Sequence, residues 1–276
     1  MIVGTSEPQL PRLLEVGEGR ARRRIAYIHA PGKAQGDPGL IWLTGLKSDM
    51  VSTKAEALSD WAEKRGLGMT RFDYSGHGRS DGRFEDAVIS DWLEEALAVF
   101  AMVAKGPVIL VGSSTGGHIA LVMLKRLLAA KMPGIERIAG LVLIAPAWDL
   151  SEDLMWKQFS DEARNDILTK GQWIRPSAYD PSGYVITRRF IDDGRNDLIG
   201  GTPFNPGRPV AIIQGLLDTD VPPEHTHRLM DLLEGGWATL SEVPDGGHRL
   251  SRPEDLELLY ALIGAQIEHW KSQQKV

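Results

Sequence analysis

Ser114, Asp218 and His248 are the residues of this chain whose types and settings could carry covalent chemistry. A serine hydroxyl becomes a useful nucleophile only when a base takes its proton, and that base must be held in the right tautomer by an acid. The run Val108–Val111 is unbroken apolar, and Gly112-Ser-Ser-Thr-Gly116 follows it. A helical stripe then begins at Ile119 and continues through Leu121, Met123, Leu124 and Leu127. That is a strand, a tight turn and a helix, with a G-x-S-x-G turn whose small flanks let the backbone push the Ser114 hydroxyl out of the fold. A second match, Gly78-Arg-Ser80-Asp-Gly82, follows a loop and leads into no helical stripe, so its serine reads as structural.

The acid and the base are sought at the ends of later strands. Ala211–Gly215 reads as a buried strand, and Asp218 lies just beyond its C-terminal end, with Asp220 two residues further as the alternative acid. His248 closes the loop Pro244-Asp-Gly-Gly after the run Ala238–Val243, immediately before the final helix. An acyl-transfer serine also needs donors for the developing oxyanion. The backbone N–H of Thr115, at a helix N-terminus, is one candidate, and that of Leu46, in the loop after Leu40–Thr44, is the other. His225 and His227, two apart on a helix, point to different faces and do not suggest a metal site.

Positioning these residues requires a mainly parallel sheet. Apolar runs at Arg24–Ala30, Leu40–Thr44, Met69–Tyr74, Val108–Gly112, Leu141–Ala145, Val210–Gln214 and Ala238–Val243 alternate, from Leu40 onward, with helical patterns. This alternation predicts about eight strands with helices on both faces, once Leu13–Val16 is included. Leu13–Val16, Arg24–Ala30 and Leu40–Thr44 read as an antiparallel lead-in. Between Pro146 and Pro209 lie about sixty residues, far more than a βα connection needs. That segment holds eight aromatic residues, Trp148, Trp156, Phe159, Trp173, Tyr179, Tyr184, Phe190 and Phe204. It reads as a cap insertion, at about residues 148–207 of a single domain spanning residues 1–276. It would lie over the C-terminal strand ends, where open α/β sheets place ligands. Trp148, Trp156 and Trp173 are its candidate substrate-binding residues, expected to favour a medium or long apolar acyl chain over acetate. Arg175, Arg188, Arg189 and Arg195 read as solvated surface, any one of which could meet an anionic substrate group.

The order Ser, Asp, His at strand ends resembles the α/β-hydrolase superfamily over almost the whole chain. More narrowly, Arg71-Phe-Asp-Tyr-Ser-Gly-His-Gly78, Val111-Gly-Ser-Ser114, Gly171-Gln-Trp173 and Gly247-His-Arg-Leu250 are similar to the bacterial and mitochondrial relatives of the α/β-hydrolase-domain-ten palmitoyl-protein thioesterases. The resemblance implies an α/β-hydrolase fold, a Ser114, Asp218, His248 triad, and S-acyl or other ester substrates, whether small molecules or acylated proteins. It also implies that His77, in the loop Asp73–Ser80, is structural. Hydrolysis of a carbon-carbon bond and cofactor-free perhydrolysis are alternatives on the same three residues. A non-catalytic ligand receptor is the alternative from another class.

Composition bounds these readings. The chain has 276 residues, 42% hydrophobic and 25% charged, with a formal net charge of -6, which gives no reason to expect nucleic acid or an anionic membrane as partner. There is no cysteine, so disulfides, thiolate nucleophiles and cysteine metal sites are excluded. The chemistry calls for no metal and no cofactor. The N-terminal stretch lacks the apolar core of a signal peptide, and no stretch is apolar enough to span a bilayer. The expectation is a soluble, cytoplasmic protein.

Overall fold

Strands buried on every residue lie at the centre of the sheet, and the most accessible strands lie at its two edges. The computed structural model describes residues 10–33, 36–177 and 181–274. Its elements run β1 (Arg12–Val16), β2 (Arg23–Ala30), β3 (Gly39–Leu43), α1 (Thr53–Lys64), β4 (Met69–Phe72), α2 (Ile89–Ala98), β5 (Val108–Ser113), α3 (Thr115–Ala129) and β6 (Ile138–Ile144). Next come α4 (Asp161–Lys170), β7 (Gln172–Arg175), β8 (Tyr184–Thr187) and α5 (Arg188–Gly194), followed by β9 (Val210–Gly215), α6 (Pro223–Leu232), β10 (Ala238–Val243) and α7 (Pro253–Gln273). One sheet has the order β1-β2-β4-β3-β5-β6-β9-β10. Every residue of β5, β6 and β9 is buried, whereas β1 and β10 at the two edges are largely accessible. Alternate side chains serve two cores, as the pleat requires. Leu40 and Trp42 of β3 pack with α1 and α7, while Ile41 and Leu43 pack with α2 and α3. Each aliphatic side chain buried this way contributes roughly 1.5–3 kcal/mol.

The antiparallel lead-in is shorter than expected. β2 pairs antiparallel with β1 and with β4, but β3 pairs parallel with β4 and β5 and is not paired with β2. Consecutive strands are usually neighbours, which is why the sequence suggests a β2–β3 hairpin. The helical crossover α1 instead returns β4 into the space between them.

The long segment between β6 and β9 carries α4, a two-stranded antiparallel sheet of β7 and β8, and α5. Ser160 caps α4 by accepting the Ala163 N–H, and Thr187 caps α5 through Phe190 N–H. Its apolar residues Met155, Phe159, Ile167, Ile186, Phe190 and Ile191 belong to the same continuous core as α2 and α3. Tyr179 lies outside the described residues. No helix among the described residues is long and apolar enough to cross a membrane.

Candidate active site

The turn between β5 and α3 is under backbone strain. Ser114 has φ 54° and ψ -117°, a region that costs a non-glycine residue on the order of 1–3 kcal/mol. It is pinned there by its own N–H, donated to Ile144 O at 2.8 Å, and by its carbonyl, which accepts from Gly117 N and Ala147 N at 2.9 and 3.0 Å. The flanking glycines are needed for clearance. A Cβ on Gly116 would sit 1.9 Å from Leu43 O, and one on Gly112 would sit 2.5 Å from Gly116 O.

His248 spans the gap between this turn and the β9 loop. Its Nε2 lies 3.0 Å from Ser114 Oγ, and its Nδ1 lies 2.8 Å from Asp218 Oδ2. Because a carboxylate can only accept, Nδ1 carries the proton and the Nε2 lone pair faces the serine hydroxyl. The carboxylate of Asp218 is fully buried, while the His248 side chain keeps 18% of its surface exposed, on the open side of the cleft. Backbone N–H groups of Asp220 and Val221 donate to Asp218 Oδ1 at 2.9 Å each. The two aspartates thus divide their work: Asp218 meets the imidazole, and Asp220 supplies a backbone donor to it. The carboxamide of Gln214 adds support, donating to Asp218 Oδ2 at 3.4 Å and to Val221 O at 3.0 Å while accepting from Thr226 Oγ1 at 2.6 Å. The sequence reading passed over Gln214; its signal is a polar residue closing an otherwise apolar buried run.

On the opposite side of Ser114 is the loop after β3. Among the described residues neither the Leu46 N–H nor the Thr115 N–H donates a hydrogen bond, so both are available to a ligand oxygen. The loop is held from the β4 side. His77 Nε2 accepts the Lys47 N–H at 3.0 Å, its Nδ1–H donates to Ser75 O at 3.2 Å, and Asp73 Oδ1 accepts Met50 N–H at 2.7 Å. Burial lowers the His77 pKa to about 4, keeping it neutral as this acceptor role demands. Ser80, in the second G-x-S-x-G match, donates to Asp73 O at 2.6 Å and accepts from Ala26 N at 2.8 Å, a structural pin.

Two cavities meet at Leu46, Tyr184 and His248. One, of about 310 Å³, includes Ser114, Gly45, Lys47, Lys54 and Arg249. The other, of about 170 Å³, is walled by Ala147, Leu150, Leu154, Met155, Arg175 and Asp220. The structure places the three tryptophans elsewhere. Trp148 is buried, stacked on His225 at 4.6 Å, with Nε1 donating to His225 O. Trp156 lies under the guanidinium groups of Arg164 and Arg195, and Trp173 packs edge-on against Phe159. Trp148 thus packs against α6, Trp156 and Trp173 pack against residues of the insertion itself, and the insertion's aliphatic residues and Arg175 line the cavity. Three of the four arginines singled out from sequence lie near acids, Arg188 with Asp192, Arg189 with Asp91, and Arg195 with Glu152 and Asp192.

The side chains of Asp218, Asp220 and His248 have ligand atoms within 4.8 Å of one another. Asp218 already accepts from two backbone donors and the imidazole, so the donor set fits a proton relay better than a cation. His225 bonds to Trp148 O and His227 to Glu242, consistent with their separate faces.

Residues 21–257 match the model of the alpha/beta hydrolase family. The chain is 31% identical over 245 residues to the mouse protein named palmitoyl-protein thioesterase ABHD10, mitochondrial, covering 88% of this chain and 79% of that one. It is 31% identical over 248 residues to the human protein of the same name, covering 88% and 76%. A hydrolase-named structure from Agrobacterium vitis S4 superposes with a TM-score of 0.90 at 40% identity, covering 95% of this chain and all (100%) of that one. The structure of alpha/beta hydrolase domain-containing protein 10 from mouse superposes with a TM-score of 0.80 at 30% identity, covering 94% and 99%.

Proposed function

Because this chain belongs to the alpha/beta hydrolase family, we propose that it is a serine hydrolase that cleaves carboxylic esters or thioesters through an acyl-enzyme on Ser114. The family and its relatives support a hydrolase, and a fold by itself implies no function. The observation that carries the serine mechanism is the hydrogen-bonded line from Ser114 Oγ through the two ring nitrogens of His248 to Asp218, at 3.0 and 2.8 Å.

In this mechanism His248 Nε2 takes the hydroxyl proton as Ser114 Oγ attacks the substrate carbonyl carbon. The resulting oxyanion is met by the N–H groups of Leu46 and Thr115, the latter at the positive end of α3. Collapse breaks the bond to the alcohol or thiol, which leaves with the proton returned from Nε2. Water, activated by the same nitrogen, then releases the acid and restores the serine. Asp218 remains ionised throughout, fixing the tautomer and stabilising the imidazolium. The thioesterase names of the curated relatives favour S-acyl substrates, including acylated proteins.

Covalent labelling by a fluorophosphonate, with turnover measured across p-nitrophenyl esters and acyl thioesters, tests the proposal. Labelling and turnover should both disappear in Ser114→Ala, by something on the order of 10⁶ in rate if the three residues act as a unit. Labelling that survives that substitution would move the nucleophile elsewhere.

A further inference from the structure

Arg175 is the cation of the 170 Å³ cavity, and its surroundings are unlike those of the other arginines of the insertion. It is the last residue of β7, paired in register with Tyr184 of β8, and both side chains line the cavity together with His248. Arg188, Arg189 and Arg195 each lie within 4 Å of a carboxylate oxygen. Among the described residues the Arg175 guanidinium forms no hydrogen bond or ion pair, although it is half-buried. Burial lowers its pKa, and Asp220 opposes that shift. A guanidinium carries five donors in a planar fork that matches a carboxylate, and withdrawing such a group from water without acceptors is unfavourable.

Most of the remaining wall is aliphatic, formed by Leu46, Ala147, Leu150, Leu154, Met155 and Val221, with Ser177 and Asp220 as its other polar residues. Its volume of about 170 Å³ is close to that of a roughly 150 Å³ protein cavity that accepts a benzene molecule. A group of about six to eight non-hydrogen atoms fills such a space, and a long alkyl chain does not fit within it.

We propose that this cavity receives a short substrate portion, apolar along its length and ending in a carboxylate that Arg175 grips, so that the preferred substrates are esters or thioesters bearing that acid. The inference rests on the reading of Ser114 as nucleophile. The acid could belong to the acyl half of the substrate or to the leaving half. Asp220 on the same wall makes the site selective, since it disfavours a carboxylate that does not reach the guanidinium.

The test uses two matched pairs of thioesters. In the first, glutaryl and hexanoyl groups are compared on the same neutral thiol; in the second, acetyl is carried by 3-mercaptopropionate or by butanethiol. The expected result is a higher kcat/KM for the charged member of one pair, which identifies the half that carries the acid. Arg175→Met should reduce that charged-to-neutral ratio roughly ten- to hundredfold, as expected for loss of hydrogen bonds to a charged group, with Arg175→Lys in between. Preference for the neutral member in both pairs overturns the inference using unmodified protein alone, as does a ratio unchanged in Arg175→Met. Retained fluorophosphonate labelling with either of those results overturns only this inference. Loss of labelling together with all turnover in the unmodified protein overturns the nucleophile assignment as well.

Discussion

His77 accepts the backbone N–H of Lys47 at 3.0 Å, and this bond ties the loop after β4 to the loop that carries Leu46. The imidazole is oriented by donating its other proton to Ser75 O, and it is packed between Tyr74, Phe84 and Trp92. A residue that touches no substrate in the proposed mechanism thereby sets the position of one of its two oxyanion donors.

His77→Phe is expected to lower kcat roughly ten- to hundredfold with little change in KM, less than the 10²–10³ typical of deleting an oxyanion donor outright. His77→Gln keeps an acceptor for Lys47 and a donor for Ser75 and should recover much of the loss. Steady-state kinetics of the two variants decide the matter; wild-type kcat in His77→Phe would leave the bond with a purely structural role.

Asp218→Asn should cost about 10⁴ in kcat, the loss seen when the acid of a serine-protease triad is amidated, because an amide can hold His248 in the wrong tautomer. Asp220→Asn should cost much less, since its contribution to Asp218 is a backbone N–H at 2.9 Å that the change leaves intact. The ranking is read from kcat on one neutral ester, and its inversion would transfer the acid role to Asp220.

Gly116→Ala should fail through sterics. The added methyl would meet Leu43 O at 1.9 Å, backbone on a central strand that cannot retreat without breaking its pairing with β5. Thermal unfolding should show a drop in Tm of several degrees or no folded protein at all. An unchanged Tm would mean that the C-terminal end of β3 yields.

Acid should weaken the fold well above the usual carboxylate range. Burial lowers the pKa values of His77, His118 and His225 to about 4, 3 and 4. Unfolded histidines titrate near 6.5, so between about pH 6.5 and 4 the unfolded chain binds protons that the folded chain does not, and stability falls as pH falls. Asp73, Glu95 and Asp149 are shifted upward by burial and act in the opposite sense, retaining protons in the fold. Each histidine contributes on the order of 1.4 kcal/mol per pH unit at its steepest. Denaturant midpoints measured at pH 7, 6 and 5 should decline in that order, and a level series would contradict the buried neutral state.

The parts of this molecule legible in its sequence are those written as short local patterns. Val108–Gly116 announces a buried strand and a sharp turn, and the apolar runs before Asp218 and His248 place both at one edge of the sheet. The pairing of β4 between β2 and β3 is not local, and no periodicity reports it. The tryptophans illustrate another gap: an aromatic in an insertion can line a pocket or only pack against its neighbours, and Trp148, stacked on His225 of α6, does the latter. Arg175 and Arg188 look alike in sequence, yet the β7–β8 register brings one to the cavity while Asp192 pairs with the other.

Ser114 and His248 are separated by 134 positions, and this has a consequence for biosynthesis. At about 5–20 residues per second a ribosome makes the serine roughly 7–27 s before the histidine. During that interval β6, the insertion and β9 have yet to be joined by β10, whose parallel pairing to β9 precedes the His248 loop. Under the proposed mechanism, a nascent chain of this length would hold its Ser114 turn without a base and could not turn over acyl groups. Ribosome-arrested chains ending before His248 should resist fluorophosphonate, whereas released full-length chains should accept it; labelling of the arrested species would show that the strained serine reacts on its own.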